Sequence, residues 1–178
     1  MSERLWAGWR MAYIREAGGT GGSEGCLFCG LAAAGISPET LVLERYRHAL
    51  LVLNAFPYTT GHLMVAPYTH TESLLLADRD ARAEVQAALE RARRALAAAY
   101  RPDGFNLGVN LGRPAGAGVL GHVHWHVVPR WSGDTNFVPV LTGVRVIPEA
   151  LPETFARLAE SLAGLPPEGV EIQGGRDA

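Results

Sequence analysis

The chain has 178 residues, enough for one ordinary domain with its own core; 48% are hydrophobic and 19% charged, which fits a soluble globular protein and excludes a disordered one. A formal net charge of −2 argues against a general nucleic-acid binder, which would carry a basic surplus. All 16 basic residues are arginines, so a cationic side chain that meets phosphate must be a guanidinium, and no lysine can serve as a nucleophile.

No apolar run reaches the roughly 18 residues of a transmembrane helix. The start, Met1 to Trp6, carries early charge and lacks the apolar stretch of a signal peptide. These features predict a cytoplasmic, reducing location with no membrane partner. There, the two cysteines, Cys26 and Cys29, read as a metal pair rather than a disulfide.

Residues 1–25 read as an N-terminal arm and linker. Trp6, Trp9 and Tyr13 need a surface to pack on, and residues 18–25 (GGTGGSEG) have the composition of a flexible loop. Residues 26–178 form a single domain. Strands are expected at Leu41 to Leu43 and His48 to Leu53, with a charged turn between them, and again at His62 to Ala66. The clearest helix spans 79–100, where Val85, Leu89, Ala92, Leu96 and Tyr100 recur every three or four residues. Asp78 or Asp80 caps its start and Pro102 stops it. A strand at Phe105 to Leu111, a glycine-rich loop to Gly121, a histidine strand to Pro129 and a helix over 152–163 complete the chain. The fold class is α+β: a mainly antiparallel sheet with one long helix and a C-terminal helix on one face.

His122, His124 and His126 alternate with Val123, Trp125 and Val127. In a strand, alternate residues share a face, so the three imidazoles form a row with steps of about 7 Å. Such steps are too long for all three to bind one ion at about 2.1 Å; two at most could share it. An imidazole can instead act as a covalent nucleophile toward phosphorus, neutral at the attacking nitrogen, with its neighbours donating to the phosphoryl group. Just upstream, the stretch Asn110 to Gly118 is rich in glycine and in backbone N–H groups, the makings of an anion-binding loop. His48 and His62 read as ordinary strand-end residues.

The run His122-Val-His124-Trp-His126-Val-Val, followed by Pro129, resembles the signature of the histidine triad (HIT) superfamily. The segment from Asn54 to His62 and the pair Ala115-Gly116 are similar to further segments of that family. Arg4 to Ile14 and Pro129 to Phe137 resemble its bacterial diadenosine tetraphosphate phosphorylase (ATP adenylyltransferase) branch, and Trp131 falls in the second of these blocks. The resemblance implies an enzyme with a HIT-like sheet that binds nucleotides: dinucleoside polyphosphates, ATP or ADP, and phosphate. It implies that His124 carries the nucleotidyl group and that His126 and Asn110 contact phosphates. It also implies backbone contacts from Gly116, Ala117 and Gly118, a ribose contact from Asn54, and nucleotide binding at Trp131. Many relatives have Gln and then Ser or Thr after the Ala-Gly pair. Here Ala117-Gly118 removes the hydroxyl, leaving backbone amides or His126 to assist the leaving group.

Cys26-Leu-Phe-Cys29, with His70 and His122, resembles the structural zinc site of part of the superfamily, a closed Cys₂His₂ set. The alternative is two buried thiols and a surface His70 without metal. The resemblance further implies a homodimer. Three functions remain open at this point: phosphorolysis of diadenosine tetraphosphate through a nucleotidyl-histidine, hydrolysis of dinucleoside polyphosphates or nucleoside phosphoramidates, and non-catalytic nucleotide sensing.

Overall fold

The computed structural model describes residues 25–134 and 148–173. The arm with Trp6, Trp9 and Tyr13, and the end of the Pro129 to Phe137 block, lie outside the described residues. Six strands make one antiparallel sheet: β1 Val42–Tyr46, β2 Ala49–Leu53, β3 Leu63–Pro67, β4 Gly104–Val109, β5 Trp125–Arg130 and β6 Ile172–Gln173. Their order across the sheet is β4-β5-β3-β2-β1-β6. Among the described residues three α-helices accompany them: α1 Leu27–Ala33, α2 Arg79–Tyr100 and α3 Leu151–Ala163. The antiparallel α+β architecture is the one expected from the sequence.

Alternation along the strands decides what each face carries. Leu63 and Val65 of β3 and Val127 of β5 point to one side, where Val85, Ala88, Leu89, Ala92 and Leu96 of α2 and Phe155, Leu158 and Leu162 of α3 complete the main core. The intervening residues point the other way. Met64 and Ala66 join Val42, Leu50, Val52 and Val119 in a second cluster, closed by Phe28 of α1. Histidines at even positions therefore face away from the two long helices.

Helix α2 starts where Asp78 accepts the N–H groups of Asp80 and Ala81. It ends at Arg101, left-handed at φ 48°, with Pro102 beyond. Gly61 makes the turn into β3 at φ +78°, and a Cβ there would lie 2.8 Å from Leu96 Cδ2, so only glycine lets this turn close against the long helix.

The structure differs from the sequence expectations in four places. The turn expected over residues 44–47 is strand as far as Tyr46. Helix α1 and the two-residue β6 were not foreseen. Helices are not confined to one face, because α1 covers part of the other. The histidine run is not wholly strand: β5 begins at Trp125. Residues 122–124 run beside a loop instead, with the Val123 N–H donating to the Thr71 carbonyl at 2.6 Å.

Candidate active site and metal centre

The face away from α2 and α3 gathers seven aromatic or imidazole rings: Phe28, Tyr58, His62, His70, His122, His124 and His126. His122, His124 and His126 are 2%, 4% and 8% exposed, and His62 is fully buried. Burial of this kind makes hydrogen-bond partners decisive, since an unpaired imidazole nitrogen there is costly.

Cys26, Cys29, His70 and His122 converge, each offering a ligand atom, all within 4.8 Å of one another. Cys26 Sγ lies 3.3 Å from His122 Nδ1, Cys29 Sγ 3.6 Å from the same nitrogen and 3.4 Å from His70 Nδ1. A tetrahedral zinc with arms of about 2.3 Å to sulfur and about 2.1 Å to nitrogen has S···N edges of about 3.6 Å, so the donor set fits the ion in chemistry and in spacing. The His122 Nε2–H donates to the Pro67 carbonyl at 2.8 Å, which leaves Nδ1 as the ligating atom, the usual outer-sphere arrangement of a metal histidine. Burial pushes the His122 pKa down and nearby His70 and His124 add to this, while the Pro67 contact opposes it. Gly121, at φ +72°, makes the turn that brings His122 to this cluster beside His70.

His124 is held on a different axis. Its Nδ1–H donates to the backbone carbonyl of His122 at 2.9 Å. Burial holds its pKa below the usual imidazole range, against the raising effect of that hydrogen bond. A neutral ring with its proton on Nδ1 keeps a lone pair on Nε2, the state a nucleophile requires.

His126 is fixed by a chain of contacts behind it. The Tyr58 N–H donates to His62 Nδ1 at 3.1 Å, so His62 carries its proton on Nε2. That N–H then donates to His126 Nδ1 at 2.9 Å, which puts the proton of a neutral His126 on its own Nε2. Sequence reasoning treated His62 as a strand-end residue, whereas the structure makes it the group that sets the tautomer of His126. The rings of His124 and His126 are edge-to-face at 5.1 Å, so a lone-pair nitrogen and an N–H donor belong to adjacent imidazoles.

The Asn54 carboxamide turns inward. Its Oδ1 accepts the Phe56 N–H at 2.9 Å and its Nδ2 faces His62 Nδ1 at 3.3 Å. A ribose hydroxyl would share it with these partners. The glycine-rich loop contains a single 3₁₀ turn, Arg113–Ala115. There the N–H groups of Ala115 and Ala117 donate to the Gly112 carbonyl and that of Gly116 to the Arg113 carbonyl, so part of the expected anion nest is spent within the loop.

A cleft of about 1100 Å³ adjoins the row, lined by Asn110, His126, Trp131, Tyr58, Arg130 and Arg157 among others. It unites three of the residues singled out from the sequence: Asn110, His126 and Trp131. Among the described residues, His124, Asn54 and Gly116 to Gly118 lie outside its lining. Its two arginines are already paired, Arg130 with Asp134 at 2.7 Å and Arg157 with Glu149 at 2.9 Å. Among the described lining residues the charge of these two arginines is therefore balanced within the cleft.

Residues 36–133 match the model of the HIT domain family. The chain is 39% identical over 170 residues to a protein of Mycobacterium tuberculosis named AP-4-A phosphorylase, spanning 92% of this chain and 86% of that one. A zinc-bound histidine triad family protein from Mycobacterium smegmatis superposes with a TM-score of 0.62 at 30% identity, covering 80% of this chain and 96% of that one. A hypothetical histidine triad nucleotide-binding protein from Sulfolobus tokodaii superposes with a TM-score of 0.59 at 27% identity, covering 78% and 92%. With the triad, the fold and these likenesses in agreement, the chain belongs to the HIT domain family.

Proposed function

We propose that this chain is a nucleotidyltransferase that cleaves dinucleoside polyphosphates, with phosphorolysis of diadenosine tetraphosphate as its reaction and His124 as the covalent carrier. The observation that carries the reading is the pair of neighbouring tautomers: His124 protonated on Nδ1 by its bond to the His122 carbonyl, and His126 protonated on Nε2 through His62. The likeness to a protein named AP-4-A phosphorylase supports the substrate class.

In the first step His124 Nε2 attacks the α-phosphorus, forming a P–N bond as the bond to the bridging oxygen of the leaving ATP breaks. The His126 Nε2–H donates to that oxygen, doing the work of the hydroxyl absent at Ala117-Gly118. In the second step an oxygen of inorganic phosphate attacks the same phosphorus, the P–N bond breaks, ADP leaves and neutral His124 is restored. Asn110 and the loop from Gly116 to Gly118 hold the phosphates, Trp131 stacks on the nucleotide, and Asn54 holds the turn that carries Tyr58 and His62.

Diadenosine tetraphosphate incubated with and without inorganic phosphate tests this directly. Phosphate-dependent ADP plus ATP is expected. AMP plus ATP, independent of phosphate, would make the protein a hydrolase of the same mechanism, and binding without product would make it a sensor.

Cys26, Cys29, His70 and His122 hold a structural zinc in this reading, with all four positions filled by protein and none open to water. Purified protein should contain one zinc per chain, measured by elemental analysis, and Cys29→Ser should lose it together with thermal stability. Metal-free protein that melts at the same temperature as the loaded form would remove the ion from the account. No described helix is long and apolar enough to cross a membrane, and a cytoplasmic setting suits a pair of ligating thiolates. Among the described strands β4 pairs only with β5. Its other edge, with exposed Leu107 nearby, suits a homodimer whose sheets join there.

A further inference from the structure

Phe28 is the third residue of Cys26-Leu-Phe-Cys29, and as the core residue of a short helix it would call for no comment. Its ring, however, is 1% exposed and lies against two histidines at once. The ring centroids of Phe28 and His124 are 4.7 Å apart with the planes tilted by 38°, and those of Phe28 and His122 are 5.3 Å apart at 55°. Phe28 shares a buried cluster with Val42, Leu50, Val52, Met64, Ala66 and Val119, close-packed surroundings that limit how far the ring can move.

The two cysteines flank Phe28 in sequence, and both sulfurs reach His122 Nδ1, at 3.3 and 3.6 Å. Helix α1 is further anchored at its far end by Arg45, whose guanidinium donates to the Ala32 and Ala34 carbonyls at 2.5 and 2.8 Å. Phe28 is thus tied down on both sides. Besides its edge-to-face contact with His126, His124 is restrained by the Nδ1 bond to the His122 carbonyl and by the Phe28 ring, the first from a member of the Cys₂His₂ set and the second from between its two cysteines. Rotation of the imidazole about Cβ–Cγ would break that hydrogen bond, and an apolar ring lying against it opposes the same rotation, so the two restraints reinforce each other.

We propose that Phe28 is a positioning residue for the nucleophile: its ring backs the His124 imidazole and keeps Nδ1 on the His122 carbonyl and Nε2 toward the substrate. The cysteine pair thereby sets the geometry of the reacting histidine without touching it. The catalytic consequence rests on the nucleotidyl-histidine reading above, whereas the positional claim does not.

The test uses the full-length, zinc-loaded protein with Phe28→Ala and the space-filling Phe28→Leu. Long-range ¹H–¹⁵N correlation spectra of the histidine side chains at neutral pH should report a single Nδ1–H tautomer for His124 in the wild type and in Phe28→Leu. Phe28→Ala should report an average of both tautomers. In single-turnover experiments the rate of nucleotidyl-enzyme formation should fall by about 10- to 100-fold in Phe28→Ala, the scale of a displaced reacting group. KM should change less than two-fold, zinc content should stay the same, and Phe28→Leu should recover most of the rate. An unchanged His124 tautomer in Phe28→Ala overturns the proposal whatever the activity, and so does a slow rate that added zinc restores. Absence of any nucleotidyl-enzyme in the wild type would refute the functional reading and leave the spectra to judge Phe28.

Discussion

Replacing His124 by alanine should lower kcat by about 10⁴-fold or more, the scale of losing a covalent nucleophile, while the dissociation constant for nucleotide stays within a few-fold. The expectation follows from where the imidazole sits. His124 is buried, its Nδ1 is satisfied by the His122 carbonyl, and it lies outside the lining of the large cleft. Binding surface supplied by Asn110, Trp131 and Tyr58 is untouched by the truncation. Replacing His126 should be milder, about 10²- to 10⁴-fold, because it removes a proton donor and not the bond-forming atom. The ordering of the two variants is as informative as either value. Rapid-quench detection of a nucleotidyl-enzyme, absent in His124→Ala and slowly formed in His126→Ala, checks the assignment, with calorimetry for binding. Turnover retained in His124→Ala would end the covalent mechanism.

Much of this site is legible in the sequence because it rests on short-range spacing. The alternation of His122, His124 and His126 reports a shared face wherever the backbone is extended, even though only His126 lies in β5. The Cys-x₂-Cys pair needs only a compartment argument to become a metal candidate. Helix α2 declares itself through a sustained period of 3.6 and a clear stop at Pro102. What escaped depends on tertiary register. His62 meets His126 only because Met64 pairs with His126 across β3 and β5, which puts position 62 diagonally opposite on the same face. No single strand reveals that neighbour. Helix α1 spans seven residues with Gly30 inside it and no amphipathic stripe of its own. It is held by the Arg45 guanidinium from a distant strand, a contact invisible to local propensity. The same holds for Phe28, whose importance comes from the ring it covers. The cleft is only partly legible: Asn110, His126 and Trp131 stand out in the sequence, whereas Tyr58 and Arg157 come from separate segments that carry no such signal.

The stability of the helix-bearing face should depend on one side chain more than any other. Arg91 of α2 is 4% exposed, and its guanidinium donates to both oxygens of Glu44 in β1, each at 2.7 Å. It also donates to the Leu162, Leu165 and Pro166 carbonyls at 2.9, 3.2 and 2.8 Å. The Tyr46 hydroxyl donates to Glu44 Oε2 at 2.7 Å. One group therefore joins the long helix, the sheet and the end of α3, where exposed carbonyls at a helix terminus need a donor. The Glu44 hydrogen bond raises the Arg91 pKa further, opposed by desolvation, so the guanidinium stays charged. Arg91→Met keeps the apolar stem but strands a buried carboxylate, which should cost about 3–5 kcal/mol. At about 2–4 °C per kcal/mol for a chain of this size, the melting temperature should fall by roughly 10 °C. Adding Glu44→Gln should return part of the loss, because the stranded charge and not the missing bond dominates it. Phosphorolysis assayed well below the melting temperature should be unchanged, since Arg91 and Glu44 belong to the face opposite the histidines. Calorimetric melting of the two single variants and the double variant decides the matter. A drop of under 1 kcal/mol in Arg91→Met, or no recovery in the double variant, would mean that apolar packing of α2 and α3 alone holds this side of the sheet.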